Sequence, residues 1–218
     1  MSAEVSAKVP DFDAAFRARL RELVAWRRDV RRFRGDGVAE ALLDELLDVA
    51  CLSPSVGNSQ PWRFVRVDDP ARRSEIRANF ARCNAEALAE QKGERAALYA
   101  RLKLEGLSEA PVQLAVFVDE DPSAGHGLGR RTMPETLRYS AVLAVHTLWL
   151  AARAQGLGVG WVSIIDPLEV ARALETPEGW SLVAYLCLGY PQEEHLDPEL
   201  ARHGWQPREA LSRAVLQR

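Results

Sequence analysis

The run Gly156-Leu157-Gly158-Val159-Gly160-Trp161-Val162-Ser163-Ile164-Ile165-Asp166-Pro167 decides the fold class. Its alternating glycines suggest a dinucleotide-binding turn, but the third glycine is misplaced for that fingerprint. The residues before the glycines carry a helix pattern and those after them a strand pattern. This is the reverse of the strand-turn-helix order that a nucleotide-binding βαβ unit needs, so the Rossmann reading is rejected. The glycines instead end a helix and let backbone approach something flat, with Ser163 on the strand just beyond them. Taken alone, a strand serine is more often structural than functional.

Working outward, residues 135–155 read as a long helix in which Val142, Leu143, Val145, Leu148, Trp149 and Leu150 nearly encircle the axis. Such a helix is covered by core on one side and by another subunit on the other. His146 within it reads as a core or interface histidine rather than a catalyst. On the far side, Pro167 starts a short helix to residue 174, and 181–188 form a strand closed by Gly189-Tyr190-Pro191. Upstream, the apolar run 112–118 follows Pro111 and ends in Asp119-Glu120-Asp121-Pro122, as a central strand would. Another strand is expected over 62–67. Two amphipathic helices precede it, one after Asp11 and Asp13 on Phe16, Leu20, Leu23 and Val24, ending near Trp26. The other lies on Leu42, Leu43, Leu46, Leu47 and Ala50. Residues 71–109 are charged and helix-prone with breaks at Gly93 and Gly106, and suit a lid. Residues 123–134 form a glycine-rich loop, and the tail at 192–218, with Trp205 and Arg208, is expected to dock on a partner. These elements make one α+β domain over 11–218 after a flexible stretch at 1–10.

The chain has 218 residues, 47% of them hydrophobic, enough for a core without disulfides. A net charge of -3 gives no global field toward nucleic acid or an anionic membrane. Cys51, Cys83 and Cys187 are odd in number and far apart, which suits reduced thiols. His126, His146, His195 and His203 lack metal-ligand spacing, so no metal is expected. The N-terminal residues have no apolar region of a signal peptide, and a soluble cytoplasmic protein is expected.

Two segments can carry chemistry. In Arg27-Arg28-Asp29-Val30-Arg31, at the end of the first helix, three forked guanidiniums within five residues suit a phosphate. Arg27 and Arg31 would share a face if the helix continued. A surface salt-bridge cluster explains the same pattern. The loop Ser53-Pro54-Ser55-Val56-Gly57-Asn58-Ser59-Gln60-Pro61-Trp62 packs hydroxyls and amides between helix and strand, able to read a heterocycle edge or simply to cap and turn.

Taken together, RRDVRRF, SPSVGNSQPW and GLGVGWVSIIDP, followed by GYP, resemble the nitroreductase superfamily of FMN-binding homodimers over most of the chain from Trp26 to Arg208. The resemblance implies a three-layer α+β fold, a central, mainly antiparallel sheet flanked by helices, in an intertwined homodimer. It implies FMN held by Arg27, Arg28, Asp29, Val30 and Arg31, with Arg208 assisting across the dimer. Ser55, Asn58 and Gln60 would face the flavin, Leu104 would cover it, and the 158–163 backbone would lie along the ring. Asp29 inside the arginine run, Ser163, the lid and the closing His203-Gly204-Trp205 resemble a branch that fragments reduced FMN with oxygen. That branch makes 5,6-dimethylbenzimidazole, the lower ligand of cobalamin, and erythrose 4-phosphate, with Asp29 and Ser163 as its catalytic pair. FMNH2 would then be a consumed substrate, O2 the co-substrate, and a separate NAD(P)H-dependent flavin reductase the supplier. The alternatives are an NAD(P)H-dependent nitro or quinone reductase that retains FMN, and a non-catalytic flavin-binding protein.

Overall fold

A computed structural model describes residues 9–209 and 215–218. Four strands, β1 (Trp62–Arg66), β2 (Val112–Asp119), β3 (Gly158–Val162) and β4 (Trp180–Gly189), form one sheet in the order β1-β2-β4-β3. Every neighbouring pair is antiparallel. The helices are α1 (Ala14–Trp26), α2 (Glu40–Cys51), α3 (Pro70–Ala89), α4 (Gly93–Tyr99), α5 (Thr136–Ala154), α6 (Pro167–Ala173) and α7 (Glu199–Arg202). Single 3-10 turns at Val56–Asn58 and Ala124–Gly127 pack on each other.

The expected three layers follow from the strand period of two. Along β2, Val112, Leu114 and Val116 face Leu43, Leu46, Val145 and Leu148 of α2 and α5. Ala115 and Phe117 face the opposite way, toward Ile76 of α3 and Val170 of α6. Being buried on both faces, β2 reads as a continuous apolar run rather than an alternating one. Its one buried polar side chain, Gln113, accepts from Tyr185 Oη at 2.7 Å and donates to the Leu107 carbonyl at 2.7 Å. Burial holds the Tyr185 phenol well above its usual range, with Arg73 and Arg77 opposing it only weakly.

Caps set the helix starts. Asp13 accepts from Phe16 N at 2.7 Å at the head of α1, and Asp69 and Asp166 do the same for α3 and α6, each followed by Pro. The insertion over 71–109 is anchored at both feet. Arg73 of α3 donates to the carbonyls of Val67 at 2.6 Å and Pro111 at 3.0 Å. On the return, Gly106 lies under the Phe33 ring, where a Cβ would sit 2.4 Å from the nearest ring carbon.

One expectation changes: strand β3 stops at Val162, so Ser163 is in the turn after it, exposed, because the chain bends there toward the α6 cap. Helix α1 ends at Trp26, where its spacing put the end, and with Arg27 extended Arg27 and Arg31 do not share a helix face. Of the two readings of His146, core or interface, its place on the exposed side of α5 leaves the interface one. The tail is docked on its own chain as far as Trp205. Glu194 pairs with Arg153, Glu199 with Arg32, and the Trp205 ring meets Tyr99 edge-on at 5.8 Å. Among the described residues no helix is long and apolar enough to cross a membrane.

The candidate flavin site

Leaving α1, the chain runs along the free edge of β3. Val30 N donates to the Val159 carbonyl at 3.0 Å, and Asp29 bridges the same residue. This contact requires glycine in β3. A Cβ on Gly160 would stand 2.1 Å from the Val30 carbonyl oxygen, and one on Gly158 would meet the Val30 side chain at 2.6 Å. Val30 is therefore the packed residue of the segment, its N–H already satisfied. Trp149 of α5 secures the entry, with Nε1 donating to the Arg28 carbonyl at 3.1 Å and the Arg27 guanidinium 4.9 Å above its ring.

Asp29 is held at both oxygens. Trp161 N donates to Oδ1 at 2.9 Å, while Arg31 donates to Oδ2 through Nε at 3.0 Å and pairs with it through Nη2 at 2.9 Å. The carboxylate lies deep among protein atoms, yet about a third of its side-chain surface, 34%, is open. Burial pushes its pKa up; the Arg31 charge and the Trp161 N–H oppose that rise without cancelling it. Ser163 follows two residues after the N–H that holds Asp29, and among the described residues its hydroxyl makes no hydrogen bond.

The arginines divide their work. Arg31 is spent on Asp29 and on the Lys103 carbonyl at 2.8 Å, which brings Leu104, the next residue, to the same place. Arg28 donates to the carbonyls of Ala25, Arg27 and Leu196. Burial first, then the neighbouring Arg27 and Arg208 charges, lower its pKa against the weaker pull of Asp197. Among the described residues neither Arg27, Arg28 nor Arg208 has an ion-pair partner, and Asp197 alone among the carboxylates acts appreciably on Arg28. The sequence pattern left a salt-bridge cluster open, and the pairing of Arg31 and Arg32 is of that kind, whereas these three are not.

Ser55, Asn58 and Gln60 assemble elsewhere. Gln60 N donates to Ser55 Oγ at 3.0 Å and Gln60 Nε2 to Asn58 Oδ1 at 3.2 Å. Asn58 and Gln60 both have left-handed backbone, with φ of 54° and 45°, conformations that cost a non-glycine residue energy and mark sites held for use. This loop leads into β1, at the edge of the sheet opposite β3, and at the far end of the strands from Val159. Four strand spacings and about six residues of strand length put the two groups on the order of 25 Å apart. One chain does not bring them to one ring.

Two residues that support the site were not singled out in the sequence. Trp149 was visible only as one apolar residue of a helix. Asn79 of α3, buried and bonded to the turn after Ser163, gave no signal, because α3 has no apolar stripe against which a polar intruder would stand out.

A model of the nitroreductase family matches residues 24–190. A 5,6-dimethylbenzimidazole synthase of Rhodospirillum rubrum is 64% identical over 199 residues, covering 91% of this chain and 94% of the relative. A protein of the same name from Rhodobacter capsulatus is 52% identical over 196 residues, covering 90% and 95%. Among solved structures, an oxidised iodotyrosine deiodinase bound to FMN and 3-iodo-L-tyrosine superposes with a TM-score of 0.70 at 28% identity, covering 91% of this chain and 97% of that one.

Proposed function

The chain belongs to the nitroreductase family, and from that premise we propose that it is a 5,6-dimethylbenzimidazole synthase. It fragments reduced FMN with O2 to 5,6-dimethylbenzimidazole and erythrose 4-phosphate, supplying the lower ligand of cobalamin. The observation that carries this reading is the Asp29 carboxylate, held by Arg31 and by Trp161 N, two residues before Ser163, with a third of its side chain open. It lies in one segment with Arg27 and Arg28, which have no ion-pair partner among the described residues. Those groups fit the flavin. A phosphate would neutralise Arg27, Arg28 and Arg208, each charge-assisted bond contributing about 1.5–3 kcal/mol, and Leu104 would lie over the ring. When bound, reduced FMN supplies both the electrons for O2 and the carbon atoms of the product.

Burial favours the protonated form of the Asp29 carboxyl, while the Arg31 charge and the Trp161 N–H favour the anion, so the group can both take up and release a proton at its Oδ atoms. Ser163 supplies a hydroxyl able to donate or accept at the same place. Ser55, Asn58 and Gln60 reach the flavin from a second copy of the chain. Exposed apolar residues support that homodimer: Phe16, Leu20 and Val24 make a stripe on α1, and Tyr139, Val142 and Leu143 another on α5. FMNH2 comes from a separate NAD(P)H-dependent flavin reductase, and FMN is consumed rather than retained.

The test is to mix the protein with chemically reduced FMN, admit air, and separate the products by chromatography and mass spectrometry. Dimethylbenzimidazole formed only with protein supports the synthase, and Asp29→Asn should lower its rate by about 100-fold or more. Intact reoxidised FMN with steady NADPH consumption would make it a reductase instead.

A further inference from the structure

Ser163 stands at the start of a short turn. Val162, the last residue of β3, is buried in the core, and three residues after Ser163 the chain reaches Asp166, the N-cap of α6. Asp166 Oδ1 accepts from Leu168 N at 2.8 Å and Glu169 N at 3.0 Å, and these bonds lower its pKa. The cap fixes the head of α6, and Val170 and Ile165 seat the helix and turn on the core, but the polar link from this turn to the insertion comes from outside it.

That link is Asn79. It comes from α3, inside the 71–109 insertion, and is 7% exposed. Its Oδ1 accepts from Asp166 N at 2.9 Å, and its Nδ2 donates to Glu169 Oε2 at 2.9 Å, with the Asp166 carbonyl 3.4 Å away. One buried amide therefore uses both its donor and its acceptor on the turn that carries Ser163. An apolar side chain there would leave the Asp166 N–H without its acceptor and take one of two hydrogen-bond partners from the Glu169 carboxylate. Other α3 contacts to this region are of a different kind: Arg82 shares the Glu169 carboxylate at 2.7 Å from the solvent side, and Arg72 grips the far end of α6 at Ala173 and Glu175.

We propose that Asn79 is a positioning residue for the reaction, setting the Ser163 hydroxyl in register with Asp29 by clamping Asp166, and so tying the insertion to the catalytic turn. This rests on the reading of Ser163 as a catalytic residue. The insertion is then more than a cover, because its first helix dictates where the reacting hydroxyl stands.

The test compares Asn79→Leu, the double change Asn79→Asp with Glu169→Gln, and Arg72→Ala. The double change keeps the acceptor for Asp166 N and reverses the donor toward position 169, restoring both bonds. Amide hydrogen exchange of flavin-free protein should show 163–169 exchanging about tenfold faster in Asn79→Leu, at the wild-type rate in the double change, and unchanged at 163–166 in Arg72→Ala. With reduced FMN and air, Asn79→Leu should bind FMN about as wild type does, while benzimidazole formed per flavin reoxidised falls about tenfold to 100-fold; the double change should recover it. Should Asn79→Leu not fold, Asn79→Asp alone, which sets two carboxylates against each other, takes its place beside the double change.

Wild-type yield per flavin in Asn79→Leu, or faster exchange in it that the double change does not reverse, would overturn the positioning role. A Ser163→Ala variant separates the two claims. If it retains full product yield, the reading of Ser163 fails; if it loses product while Asn79→Leu does not, only the Asn79 proposal fails.

Discussion

Segment 27–31 and loop 53–60, the two parts of the proposed flavin site, keep their shapes by different means. The first is extended chain with no structure of its own. Its geometry comes from Val159, Trp161, Trp149 and Lys103, all far off in sequence. The second closes mainly on its own bonds, with Val56 N on Ser140 Oγ at 3.0 Å and Ser53 Oγ on Thr147 Oγ1 at 2.7 Å seating it on α5. Ser55 takes Asn58 N and Gln60 N, Val56 takes Ser59 N, and left-handed residues at 57, 58 and 60 close the turn. A loop that carries its own geometry can be presented to another molecule, whereas segment 27–31 works only against its own sheet edge. This difference is what the proposed division of the site between two copies requires.

The largest effect should come from breaking the close approach at β3. Gly160→Ala places a methyl where the Val30 carbonyl lies, 2.1 Å away. We expect roughly 2–4 kcal/mol of lost stability in chemical unfolding and loss of FMN binding. Unchanged stability would mean the segment can leave the edge freely. Next come the apolar stripes. Leu20→Glu combined with Leu143→Glu should yield monomers by light scattering, and about tenfold or more weaker FMN binding by fluorescence quenching, although neither residue belongs to segment 27–31 or loop 53–60. A folded monomer that keeps wild-type affinity would show that one chain suffices.

Gln60→Gly should separate shape from contact in the second half. Glycine accepts the left-handed backbone without strain, so stability should stay within about 1 kcal/mol of wild type while flavin binding weakens. The smallest effect concerns pH. Because burial raises the Asp29 pKa in the folded state, the stability this group contributes is present below its unfolded value and is lost as pH rises through the raised one. Asparagine at 29 does not titrate, so the melting temperature of Asp29→Asn minus that of wild type should increase with pH from the ordinary carboxylate range upward, then level off. A decrease would mean that Arg31 outweighs burial.

Most of the fold was legible because it rests on local periodicity. The faces of α2 and α5, the apolar run of β2 and the Asp-capped starts of α1 and α6 stand within a residue or two of where spacing puts them. What was not legible is non-local. Nothing in the order of the chain says that β4 lies between β2 and β3, and hence that Gln60 and Asp29 flank opposite edges of the sheet. The same applies to Ser163, placed off the strand by a turn bonded to Asn79, which lies far earlier in sequence, and to the stacking of Arg27 on Trp149, which nothing near Arg27 in the chain indicated.

The central claim is that Asp29 of one copy and the polar loop of the other serve the same flavin. Asp29→Asn and Asn58→Ala proteins, each inactive or nearly so alone, should be unfolded together, refolded and assayed with reduced FMN and air. In a shared-site dimer, half of the random pairs are mixed and each mixed pair has one intact site, so about a quarter of wild-type benzimidazole formation should return. If the mixture makes no more product than the two variants separately, both residues act within one chain and the divided site is wrong.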